Sequence, residues 1–238
     1  MYNNKVLTNN TNNNRGRAAW ARGFIPLFAM LAMGLALAAS PAEAAPFAYV
    51  ANARDGDGTV SVIDTATNPP SVVATVQVGP RCPLSCGGPL VVAVTPDGKH
   101  VYVTDAPGMG DPLSIVAVID SASNTVVARV QVDAAPLGVA VAPDGKHVSV
   151  TSQPRADPSV PGTVSVIDTT NTVVATVPVG TFPTGIVVTP DGKHTFIANS
   201  IAGTVSVIDT ASNTVAATVP VESHPIGVDI VPPRPGVP

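Results

Sequence analysis

From residue 45 onward the chain is built of short runs of valine, alanine, isoleucine and threonine, each bounded by a cluster of Gly, Pro, Asp, Asn or Ser. In Thr163-Val164-Ser165-Val166-Ile167-Asp168 the larger apolar residues alternate with Thr and Ser, the period of a strand with one face on a core. In Thr172-Val173-Val174-Ala175-Thr176-Val177 the positions are apolar or small on both faces, which predicts a sheet covered on both sides. Small residues on one face let a neighbouring sheet approach closely. No window reads as a helix of useful length, because Pro, Gly and β-branched residues interrupt every candidate. The fold class expected is all-β.

The runs recur with a fixed period. Pro-Asp-Gly-Lys-His stands at 96–100, 143–147 and 190–194, in steps of 47 residues. Val-Ile-Asp recurs at 62–64, 118–120, 166–168 and 207–209, followed each time by a Thr/Ser/Ala/Asn cluster and another valine-rich run. Asp-Gly between two valine runs is a hairpin signal: Gly supplies the positive φ and Pro presets the turn. Parsed from Pro136, one unit gives strands at 137–142, 147–151, 162–168 and 172–179. Four-stranded antiparallel units of this length, stacked face to face, are the blades of a β-propeller.

Three full units span about 89–133, 136–180 and 183–223. Residues 47–80 supply a second, third and fourth strand without a first, and 225–231 (PIGVDIV) match a first strand without the rest. The expectation is about four blades, with the N- and C-terminal strands completing one of them and removing exposed sheet edges. Either the four close into a small ring or two chains join into a larger one.

Tyr49-Val50-Ala51-Asn52, Tyr102-Val103-Thr104-Asp105 and Phe196-Ile197-Ala198-Asn199, each followed by a V-S-V-I-D-like run and an N-T-V-V-A-T-V-P-V-like run, resemble the repeats of the YVTN family of β-propeller proteins. The resemblance covers essentially all of the chain after residue 45. It implies the propeller fold and says nothing of activity, since its motifs are strand and turn residues. Val148-Ser149-Val150-Thr151 departs from it, with serine where the aromatic would stand.

The first 44 residues lie outside the pattern. Lys5, Arg15, Arg17 and Arg22 precede the apolar stretch 23–39, and Ala42-Glu43-Ala44 follows, the layout of a secretory signal peptide cut before Ala45. The domain division expected is a signal peptide at 1–44 and a propeller at 45–238, periplasmic or secreted, with no membrane span after cleavage. Charged residues are only 12% of the chain and the net charge is −4, without a basic cluster after residue 45, which argues against nucleic acid as a partner.

In a propeller blade the hairpin and T-A-S-N turns emerge on one face, while the loop between the second and third strands and the connector between blades emerge on the other. The first face is constant here and the second is variable, and variable loops on a rigid scaffold are where recognition sits. The ligand-binding candidates are therefore Arg54, Asp55, Asp57, Arg81, Asp105, Asp111, Arg155, Asp157 and the connector histidine His224. Asp55-Gly56-Asp57-Gly58 resembles a fragment of a calcium loop, so Asp55 and Asp57 are weak metal candidates for Ca2+ or another divalent cation; no cofactor is otherwise expected. His100, His147 and His194 occupy the same hairpin position in different blades, too far apart for one ion. Cys82 and Cys86, the only cysteines, are expected to form a disulfide because the chain is exported.

These residues favour a non-enzymatic exported scaffold that binds a protein partner or small ligand through its variable-loop face, with a homodimer as one form of that partnership. No G-x-S-x-G, H-E-x-x-H or P-loop pattern occurs after residue 45, and no catalytic residue is assigned. Propellers related to that family suggest two alternatives: a metal-dependent lactonase-like hydrolase or lyase, and a subunit that docks onto a periplasmic redox protein.

Overall fold

The computed structural model describes residues 46–53, 58–79, 87–107, 114–133, 135–154, 157 and 159–231. Blade 1 contains β1 (Phe47–Asn52), β2 (Thr59–Asp64) and β3 (Ser71–Gln77). Blade 2 contains β4 (Gly87–Val94), β5 (His100–Pro107), β6 (Ile115–Asp120) and β7 (Thr125–Gln131). Blade 3 contains β8 (Pro136–Val141), β9 (His147–Ser152), β10 (Pro161–Asp168) and β11 (Val173–Thr181), and blade 4 contains β12 (Pro183–Val188), β13 (His194–Asn199), β14 (Thr204–Asp209) and β15 (Thr214–Pro220). Each blade is an up-and-down antiparallel sheet in sequence order, and blade 1 has three strands. The fold is a β-propeller, open rather than closed.

The Pro-Asp-Gly-Lys-His turns form as their chemistry dictates. Gly98, Gly145 and Gly192 hold φ of 69–70°, a region that L side chains rarely enter. Asp97 accepts from the Lys99 N–H, and the Lys99 carbonyl in turn accepts from Ser121 N, so the hairpin is bonded to the T-A-S-N turn of its own blade.

The period-2 pattern becomes two covered faces. On β6, Val116 and Val118 face blade 3 while Ala117 and Ile119 face blade 1, and all four are fully buried. Three valine-rich clusters of this kind fill the boundaries between blades 1 and 2, 2 and 3, and 3 and 4. Ala117, Ser165 and Ser206 occupy one position in successive blades, and their small size admits the neighbouring sheet.

Near the axis, threonines tie one blade to the next. Thr104 Oγ1 accepts from the Val91 N–H (3.1 Å) and donates to the Leu137 carbonyl (2.9 Å) of the following blade. Thr151 Oγ1 repeats this with the Gly138 N–H (2.8 Å) and the Thr184 carbonyl (3.2 Å). In blade 4 alanine (Ala198) takes that place, and Thr184 Oγ1 itself reaches the Ile226 carbonyl at 3.0 Å.

That last bond corrects the expectation that the N- and C-terminal strands complete one blade. Residues 225–231 belong to no sheet, and β1 pairs only with β2. Pro225-Ile226-Gly227-Val228 instead follows β12 as β12 follows β8. A Cβ on Gly138 would run into the Thr184 carbonyl, and one on Gly185 would run into the Ile226 carbonyl. Each of these innermost segments is also entered through a left-handed residue before proline: Ala135 (φ 40°), Phe182 (φ 56°) and His224 (φ 60°). The packing of valine against small residues sets one step per blade. Four such steps do not carry the last innermost segment round to β1.

Candidate binding surfaces

An open arc has two ends, and both are apolar. Val50 on β1 is 44% exposed, whereas Val103, Val150 and Ile197, its counterparts in the other three blades, are fully buried at 0%. On the far side of blade 4, Val219 is 45% exposed, whereas Val76, Val130 and Val177 are 4–5% exposed. Val221 of blade 4, the counterpart of the buried Val78, Val132 and Val179, is exposed beside it. Every interior blade boundary joins two such surfaces; here one half of a boundary stands at each end. The inner edge of β1 also carries no strand within the described residues, while 225–231 offers a first-strand phrase with no second strand beside it.

Between the ends, the inner strands form a trough of about 420 Å³ along the axis. Leu90, Val91, Leu137, Phe182, Ile186 and Ile226 line it, and none of its lining residues is titratable. It can hold apolar matter and supplies no acid or base.

Of the residues singled out in the sequence, Arg54, Asp55, Asp57, Arg81, Cys82, Cys86, Asp111 and Arg155 lie outside the described residues. Asp105 is buried, its carboxylate against the Gly79 backbone. The equivalent Asn199 is packed in the same way against Gly180 and donates to Thr204 and Ser206 hydroxyls, so this position braces the blade. Asp157 accepts from the N–H and hydroxyl of Ser159, and those bonds, the hydroxyl's first, hold its carboxyl below the usual aspartate range. His224 is exposed and occupies the connector place that Ala135 and Phe182 hold elsewhere. The structure thus brings none of Asp105, Asp157 and His224 into contact with one another among the interactions described. Among the described residues no group of three or more His, Cys, Asp or Glu is close enough to share a metal ion.

Sequence reasoning missed the end surfaces and the threonine ties. Val50 and Val103 sit in nearly the same phrase, so nothing local separates the exposed one from the buried one. The ties left one signal, the threonine shared by Thr104 and Thr151 and absent at Ala51 and Ala198.

No protein-family model and no curated protein matches the sequence. Among solved structures, the chain is similar to Kuenenia stuttgartiensis hydrazine synthase, with a TM-score of 0.62 and 22% identity over 76% of this chain and 61% of that one. It is also similar to a functionally unknown protein from Desulfotomaculum acetoxidans DSM 771, with a TM-score of 0.61 and 21% identity over 76% of this chain and 55% of that one. At this identity the likeness establishes the fold alone. The chain spans little more than half the length of these neighbours.

Proposed function

We propose that this chain is an exported, non-catalytic binding scaffold of the YVTN type whose first partner is a second copy of itself, joined head to tail. The exposure of Val50 and Val219, at positions buried in every interior blade, carries the reading. The two surfaces are the two halves of a boundary that the chain builds three times internally. The partner that fits each end is therefore the other end. The spare first-strand segment 225–231 would lie against the inner edge of the partner's β1, removing two free edges at once. Such a contact uses different patches on the two copies, and two arcs close only if two such contacts form. The assembled ring would enclose the apolar trough and present the variable loops around one rim.

The test is the mass of the protein in solution over a concentration series, by light scattering and native mass spectrometry. A dimer is expected. Val219→Glu and Val50→Glu should each return it to monomer with an unchanged far-ultraviolet spectrum, while Val174→Glu, on the solvent side of an outer strand, should leave it dimeric. A wild-type monomer at all concentrations, or dimers that survive both end substitutions, would overturn the reading.

A further inference from the structure

The third residue of each second strand faces the following blade. Tyr102 occupies this place in blade 2, where its ring is buried among Val116, Val118 and Val148 and its hydroxyl donates to Asn171 Oδ1 at 3.3 Å. Asn171 sits in the last turn of blade 3 with φ of 60°. Blade 4 presents the equivalent asparagine, Asn213, with φ of 52°, but blade 3 offers Ser149 instead of a tyrosine.

The consequence is a cleft between blades 3 and 4. Its volume is about 460 Å³, against about 260 Å³ for the space beside Tyr102 at the preceding boundary. Val164, Val166 and Ile208 form apolar walls, Ser149 and Asn213 stand within it, and Asp144, His147 and Asp191 form a polar rim. Among the described residues, neither the Ser149 hydroxyl nor the Asn213 side chain makes a hydrogen bond. A cavity of this size, lined about equally by apolar walls and by polar groups that can fix a ligand's orientation, is large enough to be a small-molecule site. It lies on the face of the constant turns, away from the variable loops.

We propose that this cleft binds a small phenolic molecule, whose ring takes the place that Tyr102 fills one blade earlier and whose hydroxyl donates to Asn213. The adjacent boundary supplies the template: an equivalent asparagine and the valine pair Val116 and Val118, matched here by Val164 and Val166, already hold a phenol, covalently attached, with Thr195 standing where Val148 does. The larger volume leaves room for a substituent on the ring in place of the tyrosine Cβ. Apolar burial of the ring drives binding, and the hydroxyl sets the choice between a phenol and a plain arene.

The probe is p-cresol, the tyrosine side chain as a free molecule, titrated into the full-length protein by calorimetry, with toluene as the comparison. Saturable binding with a Kd of about 0.1–1 mM is expected, and toluene should bind about 3- to 10-fold more weakly. Asn213→Ala should bring p-cresol down to the level of toluene, which general stickiness would not do. Ser149→Tyr should fill the cleft, raise Tm by several degrees and abolish p-cresol binding. Ser149→Met, which asks for less room, gives the same readout if the tyrosine variant fails to fold. No saturation by about 10 mM, or undiminished binding in the filled variant, would overturn the proposal.

Discussion

Tyr102 of blade 2 donates its phenolic hydroxyl to Asn171 Oδ1 of blade 3 at 3.3 Å, across a blade boundary and 69 residues of sequence. The bond is the polar end of an otherwise apolar contact. Tyr102→Phe keeps the ring and should cost about 1 kcal/mol. Tyr102→Ala empties the boundary and should cost about 3–5 kcal/mol, the range for large aromatic truncations. Urea unfolding of both variants checks this; equal costs would mean that the ring contributes little.

The threonine tie at Thr151 makes a sharper case, because the side chain is fully buried. Thr151→Val preserves shape but leaves the Gly138 N–H and the Thr184 carbonyl without that partner. Leaving buried polar groups unpaired costs about 1–3 kcal/mol, so this nearly isosteric change should destabilise measurably. Amide exchange of Gly138 should accelerate in the same variant. A neutral substitution would show that neighbouring groups or water take over both bonds.

Ile119 and Ile63 are the middle residues of the same V-I-D phrase, yet Ile119 is fully buried between blades 1 and 2 and Ile63 is half-buried on the open face of blade 1. Ile119→Ala should cost about 2–5 kcal/mol. Ile63→Ala should cost less than about 1 kcal/mol in dilute protein and more once copies associate. Chemical denaturation at low and high protein concentration separates the two terms. A cost at Ile63 that is large and independent of concentration would contradict the end-surface model.

Acid should weaken the turns. Asp97 accepts from the Thr95 hydroxyl at 2.6 Å and from the Lys99 N–H at 3.1 Å, and these bonds lower its pKa to about 2. Asp191 is lowered by the same donors in its own turn, Thr189 and Lys193, and Asp120, Asp168 and Asp209 by donors of the turns that follow them. In the unfolded chain aspartate titrates near pH ~3.9. Each folded pKa lies below its unfolded value, so this stabilisation is complete above about pH 5 and is lost as pH falls through about 4 toward 2. Tm should therefore drop across that window and drop less in the Asp97→Asn, Asp191→Asn double variant. A Tm that stays flat from about pH 5 to 2 would refute the account.

The all-β character, the strand phrases, the turns and the four-blade count were legible in the sequence, because each rests on chemistry within a few residues. Alternation at Val164, Ser165 and Val166 specifies a strand, and Pro-Asp-Gly specifies its reversal. The joining of the chain's two ends was not legible. Phrase matching pairs 225–231 with β1, but the sequence does not contain the step between blades, which comes from how closely valine on one sheet can approach alanine or serine on the next. Only the tertiary structure shows that Ile226 lies beside Thr184 and that Val50 remains uncovered. Ser149 combines both levels. The sequence marks it as the place where the aromatic is absent, and the packing of blade 4 against blade 3 turns that absence into a cleft, because a neighbouring sheet held at a fixed distance cannot collapse into the space a missing ring leaves.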